Sequence, residues 1–170
     1  MAPEHVLRDL LSPGLKVVFC GTQAGTASAK RGAYYAGRGN KFWRTIHGLG
    51  LTPYCLDPQH YPQLLDFGIG LTDLAKKTAG PDTALKRDHF DVADFTRRME
   101  LFKPAIVAFN GKRAAAVALG VPTRHLAYGV SPMRICSSAV HVLPSTSGAA
   151  AGFWDVRYWE QLVTAVRELT

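Results

Sequence analysis

Apolar positions along the chain fall into three short unbroken runs, with helically spaced segments between them. The runs are Lys16-Val-Val-Phe-Cys-Gly21, Ala105-Ile-Val-Ala-Phe109 and Val140-His-Val-Leu-Pro144. Runs of this kind, without polar alternation, read as strands buried on both faces, as in a parallel sheet. Leu71-Thr-Asp-Leu74, after the Gly68-Ile69-Gly70 break, reads as a further short strand or turn. Asn40 has the character of a helix N-cap, and Phe42, Trp43, Ile46 and Leu49 repeat with helical spacing until Gly48. Residues 90–102 predict a helix ended by Pro104, and residues 112–119 an Ala-rich helix closed by Gly120. Residues 155–169 predict a terminal helix with Trp159, Leu162, Val166 and Leu169 on one stripe. Residues 22–39, rich in Gly, Ala, Ser and Thr, and residues 51–62, with three prolines, read as loops.

Strands alternating with helices predict an α/β fold, a three-layer α/β/α sandwich with a central mainly parallel sheet. No repeat, linker or low-complexity block interrupts the 170 residues, so one domain over 1–170 is expected. Open α/β sheets bind ligands at the carboxyl ends of their strands. On that logic the segments at 21–25, Asp73, 110–112 and 145–148 converge on one cleft.

Composition narrows the class. With 47% apolar residues the chain is not disordered. No apolar run approaches the roughly 20 residues of a membrane span, and the N-terminus lacks a signal-peptide core. A cytoplasmic protein with no membrane partner is expected. The three cysteines, Cys20, Cys55 and Cys136, form neither a disulfide framework nor a CxxC metal pair. The net charge of +7 is unevenly spread: residues 10–56 and 101–154 contain no Asp or Glu. If the fold joins these stretches they make one positive face, suited to a polyanion such as DNA; otherwise they are a solvated basic surface.

The ordered set Asp9-Leu-Leu-Ser-Pro-Gly-Leu-Lys-Val-Val-Phe-Cys-Gly21, Gly25, Asn40-Lys-Phe-Trp43, Gly70-Leu-Thr-Asp-Leu74, Gly111-Lys112 and Val142-Leu-Pro-Ser-Thr-Ser-Gly148 resembles the uracil-DNA glycosylase superfamily, most closely its mismatch-specific uracil/thymine branch. The resemblance runs through nearly the whole chain. It implies an enzyme that flips a base out of DNA and hydrolyses its N-glycosidic bond without a metal or cofactor. Such a reaction needs a stacking partner for the base, hydrogen bonds to its edge and a grip on neighbouring phosphates. It also needs stabilisation of a cationic sugar and an anionic leaving base, and a positioned water.

Candidates for each role follow from that resemblance. Gln23, in Gly21-Thr-Gln-Ala-Gly25, stands where the branch usually has an Asn that positions the attacking water. An amide orients water but is no effective proton acceptor. Thr22, Ala24 and Gly25 would line the base site, the last two through their N–H groups. Tyr35 falls at the stacking position, with Tyr34 as its rival. Asp73 orients or deprotonates the water, accepts from a base N–H, or caps a short helix beginning at Leu74. Asn110 reads the base edge or caps the following helix, and Lys112 contacts phosphate. Ser145, Thr146, Ser147 and Gly148 replace the family's Asn-Pro-Ser-Gly loop and would grip DNA. The family's bulky wedge is absent from Ala149-Ala-Ala-Gly152: either the chain lacks one or Phe153 supplies it from a longer loop. His141, inside an apolar strand, reads as a core residue.

The function expected is therefore a monofunctional, metal-independent and monomeric uracil-DNA glycosylase, acting on single-stranded or mismatched DNA. No Schiff-base lysine stands out. A lesion-binding protein without chemistry on the same fold is the competing reading, and a hydrolase of free nucleosides a weaker one.

Overall fold

A computed structural model describes residues 5–169. Five strands form one sheet: β1 (Val17–Gly21), β2 (Ile69–Asp73), β3 (Ile106–Asn110), β4 (Gly129–Ile135) and β5 (Ser138–Leu143), in the order β2-β1-β3-β5-β4. All neighbours are parallel except the β4–β5 pair. Five α-helices accompany them: α1 (Thr26–Arg31), α2 (Phe42–Gly48), α3 (Val92–Phe102), α4 (Lys112–Leu119) and α5 (Val156–Arg167).

Strand alternation divides the core into two layers. Val17 and Phe19 of β1 pack with Phe42 and Ile46 of α2 and with Trp159 and Leu162 of α5. Val18 and Cys20 point the other way, into Phe95 and Met99 of α3 and Ala114 and Ala115 of α4. The chain is thus an α/β/α sandwich. Phe19, Phe42 and Trp159 form an aromatic trio with ring centroids 5.1 to 6.2 Å apart. Such contacts add about 0.5–1.5 kcal/mol per pair beyond burial.

The apolar runs mark β1, β3 and β5, and the helical spacing marks α2 to α5. Asn40 accepts from the Phe42 N–H at 3.0 Å, but the N-cap of α2 falls one residue later than expected, at Lys41, which makes no side-chain cap. Three further expectations need correction. The loop at 22–39 contains α1, whose composition of small and basic residues lacks an apolar stripe. Much of the proline-rich segment is tightly wound, as the 3-10 helical stretch Pro58–Phe67, started by the Asp57 side chain. β4 went unseen because it is an antiparallel edge strand whose middle, including Pro132, is largely exposed and whose pairing is irregular between Ser131 and Arg134. No described helix is long and apolar enough to cross a membrane.

Candidate active site

Strand register sets the site. Gly21 pairs with Asp73 across β1 and β2, and Asn110 pairs with Leu143 across β3 and β5. The carboxyl ends of four parallel strands therefore finish level, and a cavity of about 910 Å³ opens above them. Its wall contains every candidate named from the sequence: Thr22, Gln23, Ala24, Gly25, Tyr35, Asp73, Asn110, Lys112, Ser145, Thr146, Ser147 and Gly148. The two acid-free stretches meet here, and among the described residues Asp73 and Asp82 are the only acidic side chains lining it.

Asp73 ends β2 and is 4% exposed. No helix begins at Leu74, so it is not a cap. Among the described residues its carboxylate accepts no hydrogen bond; the Arg98 guanidinium reaches only its main-chain carbonyl, at 3.4 Å. Burial pushes the Asp73 carboxyl up from the usual 3.8 to about 6. Lys76 opposes that rise, Asp9 adds to it, and Arg98 opposes it. These three charged groups form their own network behind the site. Asp9 pairs with Lys76 and with Arg98 at 2.8 Å each and accepts from Thr72 at 2.7 Å. Its charge is thereby matched without Asp73, whose carboxylate is left over.

Gly21 explains how that carboxylate sits so close to β1. A Cβ at Gly21 would lie 2.8 Å from Asp73 Oδ1 and 3.6 Å from the Tyr35 hydroxyl. Tyr35 itself is held at φ 53°, a left-handed conformation rare for an aromatic residue. Its ring packs on Phe42 at 4.2 Å. Its hydroxyl is buried and, among the described residues, makes no well-formed hydrogen bond, although the Asn110 side chain stands beside it. Leaving such a group unpaired costs about 1–3 kcal/mol. Burial first, and Asp73 second, push its ionisation up, so Tyr35 remains a donor. The rival, Tyr34, is spoken for: it donates to the Arg8 carbonyl at 2.9 Å and accepts from Lys76 at 3.1 Å.

Gln23 is differently placed from what its motif position suggested. Its Nε2 donates to the carbonyls of Gly80 and Pro81 at 2.9 and 3.2 Å, and its Oε1 accepts from Thr78 at 2.6 Å. Thr22 donates to Asp82 at 2.7 Å, and Ala24 bridges to Ala79, with the Gly80 N–H donating to its carbonyl. The turn after β1 is thus stitched to residues 78–82, which form one wall of the cavity. That wall was not anticipated; nothing in Gly80-Pro81-Asp82 beyond turn chemistry announces it. Gly25 precedes α1 and its carbonyl accepts from Ala29.

Asn110 and Thr146 are a reciprocal clamp. Asn110 Nδ2 donates to Thr146 Oγ1 at 2.9 Å and its Oδ1 accepts from the Thr146 N–H at 3.0 Å. Asn110 therefore does not cap α4, which Gly111 precedes without a side-chain cap; the clamp uses one N–H and one lone pair of its amide and leaves the others on the cavity wall. Thr146 is fully buried, so it shapes the last loop instead of reaching DNA. Ser145 and Ser147 sit beside it, and their oxygens accept from main-chain N–H groups two residues on. Their O–H groups stay free to donate. Gly148 meets Gly39 backbone to backbone, where a Cβ would stand 3.4 Å from the Gly39 carbonyl. Lys112 opens α4 with its ammonium 4.4 Å from the centre of the Tyr128 ring. Arg113 braces the far wall through the carbonyls of Asp82 and Leu85. Tyr128 and Arg113 were missed, because Tyr128 lies in an irregular segment and Arg113 is one cation among twenty. Phe153 lines the rim and is 71% exposed.

His141 is a core residue, 2% exposed, but not a fully satisfied one: among the described residues its Nδ1 has no hydrogen-bond partner, and burial lowers its basicity. Among the described residues no group of three or more His, Cys, Asp or Glu could hold a metal ion.

Comparison with known proteins gives two results. A solution NMR structure from Methanosarcina acetivorans, of a protein named provisionally as a uracil DNA glycosylase, superposes with a TM-score of 0.62. The two share 22% identity over 98% of each chain, a likeness of fold. The sequence model of the uracil DNA glycosylase superfamily matches residues 8–163, a span holding the turn after β1, Asp73 and the last loop. This chain belongs to the uracil DNA glycosylase superfamily, a family of glycosylases that act on DNA.

Proposed function

We propose that the protein hydrolyses the N-glycosidic bond of uracil in DNA, without a metal and without a covalent lyase step. One observation carries this reading: a buried Asp73 carboxylate, unbonded among the described residues, with the Tyr35 hydroxyl across Gly21 from it, on the wall of a cavity of about 910 Å³. The everted base lies against Tyr35, and stacking of this kind contributes roughly 1–3 kcal/mol. Asp73, with its carboxyl near pH 6, is mainly ionised at neutral pH. It holds a water towards C1′ and faces the positive charge that grows on the sugar. The C1′–N1 bond breaks with its electron pair going to the base. The water oxygen bonds to C1′, and its proton passes to Asp73. The Tyr35 hydroxyl donates to the same water. Gln23 and Asn110 act at one remove, Gln23 by fastening the 78–82 wall and Asn110 by fastening the last loop. Ser145, Ser147 and Lys112 hold the phosphates.

The small side chains at 149–151 favour substrates that open at little cost, single strands or weak mismatches. Phe153 is the large apolar side chain at that rim. A second reading, a lesion binder without chemistry, has one observation in its favour: both candidate amides are engaged within the protein. The test is incubation of the purified protein with single-stranded uracil oligonucleotides, followed by alkali. Strand cleavage at uracil is the expected result. Tight binding with no alkali-sensitive site identifies the lesion binder, and release from free deoxyuridine but not from oligonucleotides identifies a nucleoside hydrolase.

A further inference from the structure

A second hollow, of about 400 Å³, lies next to the cavity. Lys41, Arg44, Thr45, Leu49 and Trp154 are among its lining residues, and among the described residues no acidic side chain is. Two chain segments form the ridge between the hollows. Asn40 faces the cavity and Lys41 the groove; Phe153 faces the cavity and Trp154 the groove. The ridge is braced, since the Lys41 N–H donates to the carbonyl of the clamped Thr146 at 2.9 Å. The Lys41 ammonium stands 5.6 Å from the centre of the Trp154 ring, which is backed by Trp159 at 5.8 Å between centroids. Arg44 is exposed, and neither it nor Lys41 forms an ion pair among the described residues.

Two cations without acidic partners, one of them held against the Trp154 ring, match a nucleotide unit: phosphate on the cations, sugar or base against the ring. An acidic peptide would use the cations but has no need of a ridge shared with the main cavity. A strand with one nucleotide everted into that cavity must cross the ridge to continue. We infer that the groove of Lys41, Arg44 and Trp154 binds the nucleotide adjacent to the everted one on the same DNA strand. This rests on the proposed DNA-glycosylase reading and extends its site by one nucleotide. The groove takes the neighbour most readily when that neighbour is unpaired, as in a single strand.

The experiment measures anisotropy of labelled single-stranded oligonucleotides containing a 2′-fluorinated deoxyuridine, whose glycosidic bond resists hydrolysis. Three lengths are used: full, truncated on the 5′ side of the uracil, and truncated on the 3′ side. Arg44→Gln, at an exposed position, is expected to weaken binding of the full oligonucleotide about fivefold or more. It also lowers the slope of log affinity against log salt by about one. Truncating one particular side should cost the wild type the same factor, and Arg44→Gln should then cost nothing further on that oligonucleotide. Equal weakening of all three lengths means diffuse charge and overturns the inference, as does no weakening of any, or no binding at all. Flank-dependent binding by a protein that never releases uracil keeps the groove and discards the enzyme. Uracil release with affinity indifferent to Arg44 does the reverse.

Discussion

The ends of β1 and β2 lie side by side, yet they treat their polar side chains in opposite ways. At β1 the turn is saturated: the Gln23 amide makes three hydrogen bonds and the Thr22 hydroxyl one, all to residues 78–82. At β2 the Asp73 carboxylate is buried and, among the described residues, accepts none, although Lys76 and Arg98 stand close enough to shift its ionisation. Each hydrogen bond of the first kind contributes about 1 kcal/mol to stability. A carboxylate of the second kind works against folding at neutral pH. A buried polar group with its bonding capacity spent belongs to the scaffold. One with its capacity unspent is available to a ligand only where it faces the cavity, as Asp73 does and the buried, unpaired Nδ1 of His141 does not.

The largest test of this contrast is Asp73→Asn, expected to slow uracil release by roughly 10²–10⁴-fold, the range of a lost acid–base group. The same variant should be more stable, not less. The folded carboxyl sits at about 6 against an ordinary 3.8, so the proton is held more tightly in the folded state. Its contribution to stability is full below about pH 4 and is lost as pH rises through 6. Removing the charge should therefore gain about 1–3 kcal/mol at pH 7, and nothing below about pH 4, in denaturant titrations. A variant that loses stability at pH 7 would show that the carboxylate has partners after all.

Next in size is Gly21→Ala. The added methyl would stand 2.8 Å from Asp73 Oδ1, so the carboxylate must move. A misplacement on that scale costs about 10²-fold in rate, read in single-turnover assays, with a circular dichroism spectrum like the wild type's. The pH dependence sharpens the point. Wild-type single-turnover rates should rise about tenfold per unit below pH 6 and level off above it, as an ionised Asp73 requires. Phe153→Ala should slow release from mismatched duplex by about tenfold and from single strands by under twofold, because only the duplex must be opened and held. The smallest effect on chemistry is expected from Gln23→Ala, less than about tenfold, with a stability loss of about 1–2 kcal/mol as the 78–82 wall loosens.

The layered fold was legible because β1, β3 and β5 are buried on both faces and cannot be mistaken for surface strands. β4 was not, since its side chains at 131–134 meet solvent and carry no periodic signal. The site was legible as a set of segments: strand ends must converge, and the family motifs sit on them. What each side chain does there was not. Gln23 and Asn110 have the chemistry of ligand-binding amides, and only the positions of Thr78, Gly80 and Thr146 reveal that they are taken. Those partners lie up to 57 residues away from them in sequence. Asp73 offered three roles on paper. The absence of a helix at Leu74 and the pairing of Asp9 with both nearby cations removed the capping role and left the carboxylate unengaged.

Single-turnover release of uracil from one single-stranded oligonucleotide, run side by side for Asp73→Asn and Gln23→Ala, weighs the two strand ends directly. A much slower Asp73→Asn, by about 10²-fold or more relative to Gln23→Ala at matched binding, is the expected result. A Gln23→Ala that no longer releases uracil, beside an Asp73→Asn that releases it at nearly the wild-type rate, would return the catalytic water to the turn after β1.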